Sequence, residues 1–86
     1  MIKQENGIFY IGEAISNNVA EITFEENKHI IIDHTYVDPS LRGQGIALQL
    51  VNKVVEYARE KNKKIIPECS YAKKVLIQDE YKDIIK

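Results

Sequence analysis

The chain has one cysteine, no tryptophan, two prolines and four glycines among its 86 residues. A lone cysteine excludes an internal disulfide, so apolar packing has to hold the fold together. Two separate cores would each have about 43 residues, close to the roughly 40 below which small folds usually need disulfides or metals, so residues 1–86 are expected to form one domain. No apolar run approaches the roughly 18 residues of a membrane-spanning helix. The opening Met1-Ile2-Lys3-Gln4-Glu5-Asn6 lacks the pattern of a secretory signal. A free thiol without such a signal fits the cytoplasm, and no membrane partner is expected. An excess of one charge is missing too, since 12 basic and 13 acidic residues leave a net charge of −1. Generic nucleic-acid binders carry a basic excess, so no nucleic-acid partner is expected. His29, His34 and Cys69 lack metal-ligand spacing, and no metal is expected.

What is present is a strongly patterned chain, with enough apolar residues (44%) for one packed core. Residues 8–15 are aromatic and β-branched and run into Ser16-Asn17-Asn18, which reads as a strand and its turn. Residues 19–25 alternate, with Ala20, Ile22 and Phe24 on one face and Glu21, Thr23 and Glu25 on the other, as a half-buried strand does. Residues 26–28 turn the chain again. Residues 29–37 form a longer, more continuously apolar strand, expected at a central position covered on both faces. Short links between the three predict an antiparallel meander.

After Asp38-Pro39-Ser40-Leu41 and the turn Arg42-Gly43-Gln44-Gly45, the period becomes helical. From Ile46 to about Lys61, the residues Ala47, Leu50, Val51, Val54, Val55 and Ala58 share a stripe. Asn62-Lys63 ends that helix. Residues 64–68 read as a short strand closed by Pro67. A second helix runs from Ser70, a natural N-cap, to about Gln78, and residues 79–85 hold one further helical turn. The order is β-β-β-loop-α-β-α, an α/β fold of the α+β type. Its last strand should lie parallel to the central one, joined by a right-handed crossover.

The informative stretch is residues 37–48, where a central strand hands over to the long helix. The first N–H groups of a helix have no intrahelical acceptor and point one way. Gly43 and Gly45 remove side chains that would hold a ligand away, and Arg42 adds a full positive charge to the helix dipole. Chemically this is a phosphate site. Ile46-Ala47-Leu48 cannot act as the Lys-Ser/Thr of a Walker A loop. Leu48 stands where a dinucleotide fingerprint needs its third glycine.

Arg42-Gly43-Gln44-Gly45-Ile46-Ala47 instead matches the Gln/Arg-x-x-Gly-x-Gly/Ala signature of the GCN5-related N-acetyltransferases, and Val37-Asp38-Pro39 is similar to the V-x-P that ends their central strand. More narrowly, His34-Thr35-Tyr36-Val37 and Cys69-Ser70-Tyr71-Ala72 resemble the minimal YjdJ-type branch. The resemblance runs from about Phe9 to the end. It implies a truncated version of that fold and acetyl-coenzyme A (acetyl-CoA) as cosubstrate. The N–H groups of Gln44, Gly45, Ile46 and Ala47 would hold its pyrophosphate, with Arg42 and Gly43 shaping the turn. Backbone near Tyr36 and Val37 would meet the pantetheine arm, in a wedge where two parallel strands splay. Pro67 suits the splay because it lacks a ladder donor.

Acyl transfer to an amine needs a base for the ammonium proton and a proton for the departing thiolate. His34 is a candidate base, because histidine titrates near working pH. Alternation predicts Asp33 on the face opposite His34, which excludes a direct dyad. Glu68 is an alternative base. Cys69 precedes a helix, a position that favours a reactive thiol and so a transient acyl acceptor. Tyr71 resembles the family's tyrosine proton donor to the thiolate. Lys61, Lys63 and Lys64 read as a solvated helix end, or as neighbours of the coenzyme's 3′-phosphate.

The expected function is an acetyl-CoA-binding N-acetyltransferase acting on an unidentified amine, as a monomer or weak homodimer. Two rivals remain open: a non-catalytic acyl-CoA-binding module, and a Cys69-based acyl carrier or hydrolase. Larger family members build the acceptor pocket from extra N-terminal elements, which residues 1–7 do not supply.

Overall fold

The structure, a computed structural model, describes residues 1–86. Strands β1 (Lys3–Glu5), β2 (Ile8–Ala14), β3 (Asn17–Glu26) and β4 (Ile30–Val37) form an antiparallel meander. Helix α1 (Ile46–Glu60) then crosses to β5 (Ile65–Pro67), which pairs parallel to β4 and completes the sheet order β1-β2-β3-β4-β5. Helix α2 (Ser70–Leu76) and a 3-10 turn (Asp79–Tyr81) follow, and Ile85 returns to bridge Ile65. No helix is long and apolar enough to cross a membrane.

The alternation of β3 works as its sequence dictates. Ala20, Ile22 and Phe24 are buried, while Glu21, Thr23 and Glu25 turn away. The buried row packs against the α1 stripe of Leu50, Val51, Val54, Val55 and Ala58. Truncating Ile22 or Leu50 to alanine typically costs about 2–5 kcal/mol. Ala72, Val75 and Leu76 of α2 join the same cluster, as do Tyr81 and Ile84, and α2 touches α1 directly. Both helices therefore cover one face of the sheet, and the opposite face carries no helix.

Three details of the chain differ from its local pattern. The meander has a fourth strand, β1, made of three exposed polar residues held by pairing Lys3, Gln4 and Glu5 with Tyr10, Phe9 and Ile8. β4 is not covered on both faces: Ile30, Ile32 and Val37 are buried, but Asp33, His34 and Tyr36 are exposed. Cys69, not Ser70, is the N-cap of α2, with its sulfur accepting from the Ala72 N–H at 3.4 Å.

The β3–β4 pairing also contains a bulge. Phe24 pairs with Ile32 but Thr23 pairs with His34, so Asp33 is the extra residue. Asp33 therefore does not lie opposite His34 across the sheet as alternation requires. Its carboxylate accepts a hydrogen bond from the Thr23 hydroxyl, on the open face that His34 also occupies.

Candidate functional site

A pocket of about 430 Å³ opens where β4 passes into α1. Its walls are Thr35, Tyr36 and Val37 of β4, the loop residues Leu41, Arg42, Gly43 and Gly45, the first helical residues Ile46 and Ala47, and Tyr71 of α2. Thr35 and Val37 point to the helix side of the sheet and Tyr36 to the open side, as their β3 partners Ile22, Ala20 and Glu21 show. The pocket thus spans the free edge of β4.

That edge is free because β4 and β5 part company. Pairing covers only Ile30–Ile65, Ile31–Ile66 and Ile32–Pro67. The Ile32 carbonyl accepts the last bonds, from the Glu68 N–H at 2.9 Å and the Cys69 N–H at 3.2 Å. Beyond it, β4 has no strand partner on that side, and Pro67 brings no N–H to continue the ladder.

The loop is built to leave its amides open. Asp38 caps a 3-10 turn (Pro39–Leu41) by accepting from the Ser40 N–H at 2.9 Å and the Ser40 hydroxyl at 2.7 Å. These two bonds, the hydroxyl first, hold the Asp38 carboxyl below its ordinary value. The Arg42 Nε–H donates to the Val37 carbonyl at 3.1 Å, tying the turn back onto β4. Gly43 and Gly45 both adopt positive φ, 84° and 75°. A Cβ on either would meet nothing within 4 Å, so glycine is required there by backbone conformation and not by crowding. Gly45 is the α1 N-cap and supplies no side-chain cap, and the first turn holds no acidic residue. The first intrahelical bond is Gln49 N–H to the Gly45 carbonyl, so the N–H groups of Ile46, Ala47 and Leu48 have no acceptor within the helix.

Most of the expected residues come together here. Tyr36, Val37, Arg42, Gly43, Gly45, Ile46, Ala47 and Tyr71 line one pocket. Gln44 is exposed and its side chain forms no part of the wall. Cys69 adjoins the pocket through Thr35, whose Oγ1 lies 3.3 Å from Sγ. Burial raises the Tyr71 hydroxyl above its ordinary value, with Tyr81 a second cause, so it is protonated at neutral pH. His34 stands beside Thr35 on the open face, outside the lining. Glu68 is exposed. Lys61, Lys63 and Lys64 lie at the far end of α1, about 22 Å along a 15-residue helix from the glycine loop, which removes them from any ligand seated on its first turn. Thr35 and Leu41 line the pocket without having been singled out. Position alone marked them, since each is the neighbour of a residue that was.

The family model described as GCN5-related N-acetyl-transferase matches residues 8–84. The chain belongs to that family. A GCN5-like candidate N-acetyltransferase from Staphylococcus aureus, solved in solution, is 47% identical with a TM-score of 0.82, over 100% of this chain and 87% of that one. A candidate acetyltransferase from Clostridium acetobutylicum, solved with acetyl-CoA, shares the fold at 24% identity and a TM-score of 0.56, over 84% of this chain and 56% of its own. An uncharacterised N-acetyltransferase of Methanocaldococcus jannaschii is 43% identical over 35 residues, 41% of this chain. The chain spans only 16% of the length of that relative. Within the GCN5-related family, the pocket at the β4–α1 junction is where the signature Arg42 to Ala47 falls.

Proposed function

We propose that this chain is a cytoplasmic, single-domain N-acetyltransferase that binds acetyl-CoA at the β4–α1 junction and passes the acetyl group to an amine. One observation carries the reading: a single pocket joins the open amides of the glycine loop to the unpaired edge of β4. The residues fit the ligand. The N–H groups of Gln44, Gly45, Ile46 and Ala47 offer donors to a pyrophosphate, Arg42 offers charge, and the free edge of β4 offers strand-like partners to an amide-rich arm. Acetyl-CoA, when bound, supplies an activated thioester.

The chain's own groups supply the rest. His34 takes a proton from the incoming ammonium. The freed nitrogen then bonds to the acetyl carbon as the carbon–sulfur bond breaks, with the electron pair leaving on sulfur. Tyr71 holds a proton for that thiolate and is reprotonated from solvent, and the second amine proton leaves through His34, so one proton is released overall. A second reading is favoured by the Thr35 Oγ1–Cys69 Sγ contact of 3.3 Å. The thiol, beside a residue that lines the pocket, loses its proton and bonds to the acetyl carbon as the carbon–sulfur bond breaks and the coenzyme leaves as its thiolate. The acetyl group then passes from Cys69 to the amine.

Calorimetry with acetyl-CoA, followed by assays on an amine and lysine-peptide panel, tests the proposal. Saturable binding with turnover is expected. Binding without turnover would reduce the chain to a coenzyme-binding module, and no binding would remove the reading altogether. Cys69→Ser is expected to keep both binding and most turnover. Abolished turnover with intact binding, together with acetylated Cys69 in the mass spectrum of the native chain, would establish the thiol route.

A further inference from the structure

The open face of the sheet holds a pair that lies outside the pocket wall. Glu21 Oε2 lies 3.7 Å from His34 Nε2, a diagonal contact between neighbouring strands. The carboxylate is not free to swing. The Asn18 side-chain amide donates to Glu21 Oε1 at 2.9 Å and to the Ile15 carbonyl at 2.7 Å. The Glu21 side chain is 24% exposed and that of His34 56%, so the acid is the more enclosed and hydrogen-bonded partner and the imidazole the more open one.

The bulge creates this pair. With Phe24 opposite Ile32, an unbroken register would place Asp33 opposite Thr23 and His34 opposite the buried Ile22, turning the imidazole toward the helices. Inserting Asp33 as an extra residue moves His34 to Thr23 and so onto the open face, within reach of Glu21. The next residue, Thr35, lines the pocket from the other side of β4.

We propose that Glu21, locked by Asn18, is the positioning residue for His34, and that the acceptor amine arrives from the open face of the sheet. This rests on the acetyl-transfer reading above. The carboxylate faces Nε2 and keeps the proton there, which leaves Nδ1 with the lone pair. Nδ1 takes one proton from the ammonium, the nitrogen's freed electron pair forms the new bond to the acetyl carbon, and the carbon–sulfur pair leaves on sulfur. The imidazolium so formed is stabilised by Glu21 until its proton passes to solvent. At 3.7 Å the pair is longer than a hydrogen bond. Catalytic contacts in ligand-free sites commonly tighten only in the complex. Exposed ion pairs add little stability, so the role can be tested apart from the fold.

The experiment is steady-state acetylation of the amine panel by the full chain, with calorimetric acetyl-CoA binding measured on the same preparations. Glu21→Gln is expected to lower kcat about tenfold or more, with acetyl-CoA affinity within about twofold and the melting temperature within about 2 °C. Glu21→Asp, which keeps the charge, is expected to retain more activity than Glu21→Gln. In a His34→Gln background, Glu21→Gln is expected to add no further loss. If Glu21→Gln unfolds, Asn18→Ala frees the carboxylate without removing it and is expected to lower kcat by a smaller factor. Unchanged kcat in Glu21→Gln, or an equal loss without His34, overturns the positioning role and leaves acetyl transfer standing. A native chain that binds acetyl-CoA yet acetylates no amine overturns the acetyl-transfer reading, and this role falls with it.

Discussion

The two ends of helix α1 are built in opposite ways. At the C-terminal end most of the donors have partners within the chain. The Lys63 N–H bonds the Ala58 carbonyl at 2.9 Å and the Asn62 N–H bonds the Arg59 carbonyl at 3.2 Å, the paired closure of a Schellman motif with Asn62 in the left-handed region at φ 57°. Arg59 pairs with Asp83, and Lys63 pairs with Glu26 at 2.8 Å. Lys64 donates to the Asp83 carbonyl, and the Tyr57 hydroxyl donates to Glu26. Phe9, Phe24 and Tyr57 cluster nearby with centroids 5.6–6.0 Å apart, the two phenylalanines stacked and Tyr57 edge-on to Phe9. The N-terminal end has a left-handed glycine for a cap, no acidic residue in its first turn and amides without intrahelical partners. Both ends carry basic residues, yet only one has cations already neutralised by carboxylates. Density of Lys and Arg therefore says little about where an anion binds. What distinguishes the ends is whether the donors are spoken for.

Matched substitutions at the two left-handed residues give the largest expected contrast. Gly45→Val and Asn62→Val each force a β-branched residue to positive φ, at a cost of about 1–3 kcal/mol. Thermal unfolding is expected to show both, with melting temperature lowered by about 5–20 °C in each. Binding is expected to separate them. Gly45→Val also places a branched side chain over the open amides and should weaken acetyl-CoA binding about 30-fold, or about 2 kcal/mol, by calorimetry. Asn62→Val should leave affinity within about twofold, because its bonds serve only the helix. Equal losses of affinity in the two variants would make Gly45 a folding residue alone.

A smaller contrast comes from charge. Arg42→Gln should weaken acetyl-CoA binding about five-fold, and more at low salt than at high, since it removes a cation facing a polyanion. Part of that loss comes through the Arg42–Val37 tie, which also positions the loop. Lys63→Gln should leave binding unchanged at all salt concentrations, because its charge is spent on Glu26. A salt-dependent loss in Lys63→Gln would place the anion, or a part of it, at the wrong end of the helix.

How far these features could be read from the chain depends on whether a local pattern encodes them. The α1 stripe, the alternation of β3 and the glycine turn all write their structure into adjacent residues, and each stands within a residue or two of its expected place. β1 does not, because Lys3-Gln4-Glu5 has no apolar face and exists only through its pairing with β2. The β4 bulge is equally silent. Ile30-Ile31-Ile32-Asp33-His34 looks like an uninterrupted strand, and the extra residue appears only when β3 is laid beside it. Glu21 and His34 meet as a consequence of that register, thirteen positions apart, so no motif joins them. The choice of Cys69 over Ser70 as cap was likewise set by the neighbouring chain: Ile32 accepts the Cys69 N–H and Thr35 meets its sulfur.

The smallest effect concerns acid. The Glu26 carboxyl is held below its ordinary value of 4.5, first by the hydrogen bond from Lys63 and then by that from Tyr57. A carboxyl whose folded value is depressed contributes stability that is fully present above the unfolded value and is lost as pH falls through the folded one. Unfolding followed from pH 7 downward should therefore stay flat to about pH 5 and then decline. Asp83, depressed by Arg59, adds to that decline from the same end of α1. Asp38, depressed by Ser40, adds to it from the loop end. The Glu26→Gln, Asp83→Asn double variant should be less stable at pH 7 and show a shallower decline below pH 5. Asp38→Ala should remove the loop's share and, by taking the cap from the 3-10 turn, weaken acetyl-CoA binding at neutral pH as well. The C-terminal pair should leave binding alone, because acid there unfastens a helix end whose donors were never offered to a ligand.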